Sequence, residues 1–430
     1  MAFRLAGLLL IGAVCVALPH TAFAQSGDPM DGRAVAEIRV SGLRNVSPDM
    51  VRRHLATRVG EPFRRATLAL DQRRLDELRL FTRVLIAPRL DNDAVILEVA
   101  VTETLRVLPI VVLRVTDENG VSAGPGVRGI NLTGRGTQAG VAAYFGGETG
   151  VTATFDAQTI TPGTWARHLG FNYSSRENEL YDFDERAMRA DARFAHNRNH
   201  GLRTGVAAEV MSIDTGSSGA SLSADGTDVI PVLGAFLTVD TLDSSTNPRA
   251  GSWAEVQVDR LFGDAHSWTF TLDGRIFHRL SDRHGLGLFG LATFQTGELG
   301  TELPEYLQFA LGGANSVRGW SFGAHRGRNQ FIGTFEYAYV LQPIRAFSVV
   351  GLNLYAGLQV AGFGDLGLAW NDRSDLEASP VLDGYGFGLR VLVPFVDVIR
   401  LDVAWGEPGQ GATAYFGVSL KATRQRQRVR

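Results

Sequence analysis

The amino-acid sequence predicts a mainly β protein, namely a 16-stranded antiparallel transmembrane β-barrel preceded by one small α+β domain. From about Val107 onward, segments of about ten residues alternate apolar and polar side chains between clusters of Gly, Asn, Asp and Ser. This is the pattern of strands with one face toward lipid and the other toward a wet interior. Residues 34–105, in contrast, combine short strand patterns with two helical patterns.

Composition narrows the classes of function. The chain has 430 residues and a formal net charge of −3, so no general basic field favours nucleic acid as a partner. Its 50 glycines are scattered without a period, which excludes a collagen-like protein.

Residues 1–24 have the features of a secretory signal peptide. Arg4 supplies a positive charge, residues 5–18 form an apolar core, and a small-x-small cleavage site ends at Ala24. Cys15 is the only cysteine and lies inside that core, so we expect an exported mature chain without thiol or disulfide chemistry. No later apolar run reaches the roughly 18 residues that a membrane helix needs.

A short linker, residues 25–33, leads to the small domain at residues 34–105. Its pattern gives a strand, two helices and two strands, at residues 35–43, 47–55, 66–80, 81–87 and 94–101. Ser47 precedes a proline and predicts the capped start of the first helix. Arg73 and Arg74 lie on the face of the second helix opposite its apolar side.

The predicted barrel occupies residues 106–420, and a basic tail, residues 421–430, follows it. Apolar strand faces are opposed by polar residues at Thr334, Glu336, Asn353, Gln359, Arg400 and Asp402. Charges on one face of otherwise apolar strands fit a hydrated lumen, whereas a soluble sandwich normally turns its apolar face inward. Division at plausible turns gives eleven segments before a long loop and five after it, the even total that bacterial barrels require.

The long gap between strand segments, residues 297–328, contains a distinctive run of glycine and aromatic residues around one arginine. Residues 311–323 read Leu-Gly-Gly-Ala-Asn-Ser-Val-Arg-Gly-Trp-Ser-Phe-Gly. Glycines allow tight turns, and Arg318 keeps its charge wherever it is placed. A long loop of this kind is often functional, although these residues alone also fit a solvated arginine on a surface loop.

Taken in order, several blocks are similar to the BamA/TamA superfamily of outer-membrane assembly and secretion barrels. The blocks are Asn131-Leu132-Thr133-Gly134-Arg135-Gly136, Asp240-Thr241-Leu242-Asp243, Asn247-Pro248-Arg249-Ala250-Gly251, Val317-Arg318-Gly319-Trp320, Phe335-Glu336-Tyr337, Phe363-Gly364-Asp365-Leu366-Gly367 and Arg400-Leu401-Asp402. The small domain resembles a POTRA domain. Two features depart from the family pattern: one POTRA-like domain fits instead of several, and the basic tail follows the last strand.

The resemblance implies a non-enzymatic insertase or translocase of the outer membrane, with the POTRA domain in the periplasm. Its barrel would open at a seam between the first and last strands, near residues 107–114 and 413–420. The partners would be unfolded outer-membrane or secreted client proteins and the lipid bilayer. Accessory periplasmic proteins or lipoproteins are further candidate partners, and nucleic acid is not expected.

Two alternatives stay open. Secretion of one partner protein through the lumen would need a plug helix, for which residues 25–33 are too short, and a second POTRA domain. A passive channel or a surface antigen with a structural role is the other alternative, and a wide, steady conductance would distinguish it.

The resemblance also implies a site inside the barrel. It places four loop residues in the lumen, namely Val317, Arg318, Gly319 and Trp320. We expect Arg318 to pair with Asp365, because Asp365 shares the odd numbering of polar Gln359 on its segment. Glu336 and Asp402 also fall on polar faces and are alternative or additional partners. A carboxylate accepts a guanidinium in a bidentate geometry that lysine does not reproduce.

No motif indicates an enzyme, a metal or a cofactor. Gly-x-Gly-x-x-Gly occurs from Gly124, Gly285 and Gly362, but none lies in the strand-turn-helix context of a dinucleotide site. There is no Gly-x-Ser-x-Gly elbow. His196 and His200 flank turn-forming residues, and we expect them at the surface rather than on a metal.

Overall fold

The computed structural model describes residues 29–419, except 79, 104, 133–135, 158–162, 217, 245–246, 350–351 and 393–397. The predicted signal peptide with Cys15, residues 25–28 of the linker and the basic tail lie outside the described residues.

The N-terminal domain has the predicted order of elements. These are β1 (Val35–Ser41), α1 (Pro48–His54), α2 (Leu68–Glu77), β2 (Phe81–Asp91) and β3 (Ala94–Glu103). Ser47 caps α1 by accepting a hydrogen bond from the Met50 N–H at 3.2 Å. The sheet order is β1-β3-β2, with β1 parallel and β2 antiparallel to β3, so β1 and β2 are both edge strands.

Sixteen antiparallel strands form one nearly closed barrel, which confirms the predicted count of eleven before the long loop and five after it. The first eleven are β4 (Val107–Thr116), β5 (Gly120–Ile130), β6 (Gln138–Gly146), β7 (Glu148–Ala157), β8 (Trp165–Asn178), β9 (Phe183–Asn197), β10 (Leu202–Asp214), β11 (Thr227–Asp240), β12 (Gly251–Leu261), β13 (Ser267–Arg279) and β14 (His284–Gln295). The last five are β17 (Asn329–Val349), β18 (Leu352–Trp370), β19 (Leu382–Leu392), β20 (Val398–Trp405) and β21 (Thr413–Ser419). The long loop, residues 296–328, contains the short pair β15 (Phe309–Leu311) and β16 (His325–Gly327), and α3 (Asp375–Ala378) follows β18.

Strand β13 illustrates how the barrel wall divides its side chains. Trp268, Phe270 and Leu272 point outward and stay exposed, whereas Thr269 and Thr271 between them are buried. A period of two therefore gives an apolar outside and a polar inside, as the sequence predicts. No helix among the described residues is long and apolar enough to cross a membrane.

The two edges of the barrel sheet meet at what we call the seam, formed by β4 and β21. Every other neighbouring pair of barrel strands is joined by a hydrogen-bond ladder. β4 and β21 lie beside each other, but within the described residues no ladder joins them.

The N-terminal domain packs against one end of the barrel. Ile130 at the end of β5 belongs to the buried core of the domain, and Gln138 of β6 donates a hydrogen bond to the Leu78 carbonyl at 3.2 Å. Because β14 runs in the same direction as β4, the long loop leaves the barrel at the opposite end. The loop and the domain thus occupy opposite mouths.

Arg73, on the face of α2 opposite its apolar side, is buried by the barrel. Only 5% of the Arg73 side chain is exposed, and its guanidinium pairs with Asp240 at the end of β11. The helical periodicity of α2 identifies the face that packs on the domain core. It does not reveal whether another part of the protein covers the opposite face. Here the barrel covers that face.

Candidate functional site

The first half of the long loop packs inside the barrel mouth opposite the N-terminal domain. Leu303, Tyr306 and Leu307 are buried against the inward faces of β9 to β12 at this mouth. Their partners in this apolar cluster are Phe183, Ala187, Met211, Ile213, Ile230, Val232, Leu261 and Ala265. The Tyr306 hydroxyl donates a hydrogen bond to Asp228 on β11. We call residues 303–307 the cap.

Beyond the cap, the hairpin of β15 and β16 carries the loop tip, residues 312–324, along the inner wall. Gly319 adopts a φ of +93°, and a Cβ there would lie 2.4 Å from the Trp405 carbonyl carbon. Glycine is therefore required for the tip to approach β20 so closely. Gly384 on β19 likewise leaves room for the tip, since a Cβ there would lie 1.9 Å from the Arg318 carbonyl oxygen.

Arg318 lies at the centre of the tip, with 1% of its surface exposed. Its Nε and Nη2 donate to Oδ2 and Oδ1 of Asp365 at 2.7 and 3.0 Å, the bidentate geometry of a guanidinium–carboxylate pair. Nη1 donates to Asp402 Oδ2 at 3.0 Å, and the backbone N–H donates to Asp365 at 3.2 Å. The guanidinium also lies 3.3 Å from the centre of the Phe363 ring.

Further polar side chains hold the two acceptor carboxylates in place. Thr334 on β17 donates to Asp365 Oδ1 at 2.6 Å. Arg390 on β19 pairs with Asp402 and, at 3.1 Å, with Glu336. Burial alone lowers the pKa of Arg318, but attraction to Asp365 and Asp402 outweighs it and raises the pKa above its ordinary value. The guanidinium is therefore a permanent charge in this network.

The neighbours of Arg318 attach the tip to the same part of the wall. Val317 is buried in an apolar cluster with Leu311, Ile332 and Leu382. The Gly319 N–H donates to the Tyr415 hydroxyl at 2.9 Å. Trp320 Nε1 donates to the Asp383 carbonyl at 2.7 Å. The tip thus contacts strands β17 to β21.

Of the residues that the sequence singles out, the structure brings together Arg318, Asp365 and Asp402. Glu336 belongs to the same network but contacts Arg390 rather than Arg318. Sequence reasoning missed Arg390, although it alternates with the exposed Tyr385 and Phe387 and therefore carries the same signal as Asp402.

Two other sequence blocks form turns at the end near the N-terminal domain. Asp243 accepts hydrogen bonds from the N–H groups of Arg249 and Ala250 at 2.8 and 3.1 Å and closes the turn after β11. Asn131 accepts a hydrogen bond from the Gly136 N–H at 3.0 Å; residues 133–135 of that block lie outside the described residues.

The structure places the Gly-x-Gly-x-x-Gly matches and His196 on barrel strands. The three Gly-x-Gly-x-x-Gly matches lie within β5, β14 and β18, not at the start of a helix. His196 lies on β9, with its ring 5.0 Å from that of Trp165. Within the described part of the chain, no group of His, Cys, Asp and Glu is arranged to hold a metal ion.

Comparison with protein families gives two matches. The model described as an Omp85 superfamily domain matches residues 131–421. The POTRA model, described as a surface antigen variable number repeat, matches residues 34–104. None of the curated proteins matches the sequence significantly.

Solved structures with the same fold include BamA from Haemophilus ducreyi lacking POTRA domains 1–3, with a TM-score of 0.55 and 14% identity over 90% of this chain and 83% of that one. CdiB from Escherichia coli has a TM-score of 0.55 and 13% identity over 94% of this chain and 92% of that one. CdiB from Acinetobacter baumannii has a TM-score of 0.52 and 15% identity, covering 88% and 71% of the two chains. At these identities the similarity concerns the fold.

Proposed function

The chain belongs to the Omp85 superfamily, and from that premise we propose that it is a non-enzymatic outer-membrane insertase. In this proposal the N-terminal domain lies in the periplasm and receives unfolded client proteins. The barrel then inserts each client into the bilayer through the seam between β4 and β21.

The state of the seam is the observation that carries the proposal. Within the described residues, β4 and β21 lie side by side without a ladder, while every other pair of neighbouring barrel strands is joined by one. An unpaired strand edge in lipid costs several kcal/mol for each backbone group without a hydrogen-bond partner. An incoming strand that pairs with this edge supplies those hydrogen bonds. The edge is thus a template for β-strands.

The N-terminal domain supports the capture step. Its three-stranded sheet has two edges, β1 and β2. Extended peptides bind sheet edges through backbone hydrogen bonds and tolerate changes in their side chains. A receptor for many unfolded clients needs this tolerance.

The buried cap favours insertion through the seam over secretion through the lumen. Passage of a chain through the lumen would remove Leu303, Tyr306 and Leu307 from an apolar cluster. Full burial of one such side chain is worth about 1.5–3 kcal/mol. A passive channel would likewise need a passage past these buried side chains.

Reconstitution tests the proposal. Liposomes containing the purified protein receive a urea-unfolded outer-membrane barrel, and its folding is followed by heat-modifiable mobility on gels. We expect faster and more complete folding than in empty liposomes or in liposomes with an unrelated barrel of equal mass. Equal folding in all three samples would contradict an insertase. Release of a secreted client into the liposome interior would support the secretion alternative.

A further inference from the structure

The tip of the long loop contacts both edges of the seam. On one edge, Asp117 directly follows β4, and its Oδ2 accepts a hydrogen bond from the Ala314 N–H at 2.8 Å. On the other edge, the Tyr415 hydroxyl of β21 accepts a hydrogen bond from the Gly319 N–H and donates one to the Trp320 carbonyl, at 2.9 and 3.2 Å.

Ala314 joins the two sides within a single residue. Its N–H is bound to Asp117, while its methyl group lies in a buried cluster with Phe363, Ala404 and Tyr415. The preceding Gly313 has a φ of +85°, and a Cβ there would lie 2.4 Å from Asp117 Oδ2. Any other residue at 313 would push the tip away from the carboxylate.

The contacts on the two sides are unequal. The side of β21 holds the tip through the Arg318 network, the Tyr415 hydroxyl and a hydrogen bond of 3.2 Å from Arg400 on β20 to Asn315. On the β4 edge itself, the hydrogen bond to Asp117 is the contact that the described residues show, while farther along the wall Gly323 lies against Leu180 in the turn after β8. More contacts therefore join the tip to β18 to β21 than to β4.

We propose that the tip is an internal clasp that holds the seam closed, with Asp117 and Tyr415 as its positioning residues. The clasp joins two edges that lack a ladder of their own within the described residues. Its biological role rests on the proposed function, because a seam must open only if clients use it. Its effect on seam width, however, is measurable without any client.

Pyrene fluorescence tests the clasp. Leu113 on β4 and Ala414 on β21 are both exposed on the outer wall near the same end of the seam, so pyrenes on cysteines at these positions form excimers when the seam is closed. Asp117→Ala removes the acceptor on one edge, and Tyr415→Phe removes the hydroxyl on the other while keeping the ring. Each should lower the ratio of closed to open seams by about two- to tenfold, the factor that one ordinary hydrogen bond supplies.

Matched controls keep the test specific. Asp225→Ala removes a carboxylate that bonds only within its own turn in the described contacts, and Tyr385→Phe removes a hydroxyl from the outer wall. Neither should change excimer emission. Heat-modifiable mobility confirms folding of each variant, and Asp117→Leu, which also lacks an acceptor, replaces Asp117→Ala if the latter does not fold.

The outcomes separate the clasp from the proposed function. Unchanged excimer emission in both folded variants would overturn the clasp, whatever happens to client folding. Reduced emission together with unchanged client folding would support the clasp and contradict insertion through the seam.

Discussion

At the scale of single residues, Arg318 donates four hydrogen bonds to two carboxylates from a position that solvent hardly reaches. Removing one partner of such a buried pair leaves the other charge uncompensated, at about 3–5 kcal/mol. Because apolar residues can often replace a buried ion pair without loss of stability, we infer that this network mainly fixes where the tip docks.

Arg318→Ala should therefore release the tip without unfolding the barrel, and Arg318→Lys should release it less. Chymotrypsin cleavage after Trp320 or Phe322, followed by mass spectrometry, measures the release. Arg186→Ala is the control, since its ion pair with Asp214 is exposed and such pairs contribute about 0–1 kcal/mol. Equal protection of the tip in wild type and Arg318→Ala would show that the network does not hold the loop.

Glu118, in the turn after β4, gives a prediction on pH. Burial is the main cause that raises the pKa of its carboxyl to about 7, and repulsion by Glu185 raises the pKa further. Attraction to Arg176, 3.0 Å away, lowers the pKa and offsets this rise only in part. A carboxyl whose pKa is raised on folding stabilises the folded state at low pH. That contribution is lost as pH rises from about 4.5, its unfolded value, to about 7.

Wild type should consequently lose thermal stability relative to Glu118→Gln over this range of pH. Melting temperatures of both proteins, measured by circular dichroism at several pH values between 4 and 8, give the difference. A difference that stays constant, or grows in favour of wild type with rising pH, would refute the assignment.

At the scale of elements, the sequence predicted the strands well because the period of two is a local property. Parity placed Asp365 and Asp402 on the polar faces of their strands, which holds because β18 and β20 are continuous where the tip docks. Asp117 and Tyr415 could not be found this way. Their role depends on the loop reaching both edges of the closed sheet, and no local pattern encodes that contact.

The edge strands of the N-terminal domain yield a prediction on client binding. A client peptide with prolines at the positions whose N–H groups face the domain should bind more weakly than one with prolines in the opposite register. Two lost hydrogen bonds of about 0.5–1.5 kcal/mol each weaken binding by about 5- to 150-fold. Fluorescence anisotropy with the whole protein in detergent measures both affinities, and equal affinities would exclude pairing at a sheet edge.

At the scale of the whole molecule, different elements pack at the two ends of the barrel. The N-terminal domain docks at one mouth through the buried pair of Arg73 and Asp240, and the cap fills the other. An intact protein should accordingly show small, fluctuating currents in a planar bilayer rather than a steady pore.

Tyr306→Ala should open the capped mouth and raise the conductance, because truncation of a buried aromatic side chain costs about 3–5 kcal/mol and leaves a cavity. Tyr385→Ala truncates an exposed tyrosine of the outer wall and should leave the currents unchanged. If both variants conduct like wild type, the cap does not seal the lumen.

Locking the seam tests insertion through it most directly. Cysteines at Leu113 and Ala414, joined by a short reducible cross-linker, should abolish client folding in the liposome assay, and reduction should restore it. The same cross-linker attached to either single cysteine should have no effect. Client folding at the full wild-type rate through a barrel whose seam is quantitatively cross-linked would contradict the account.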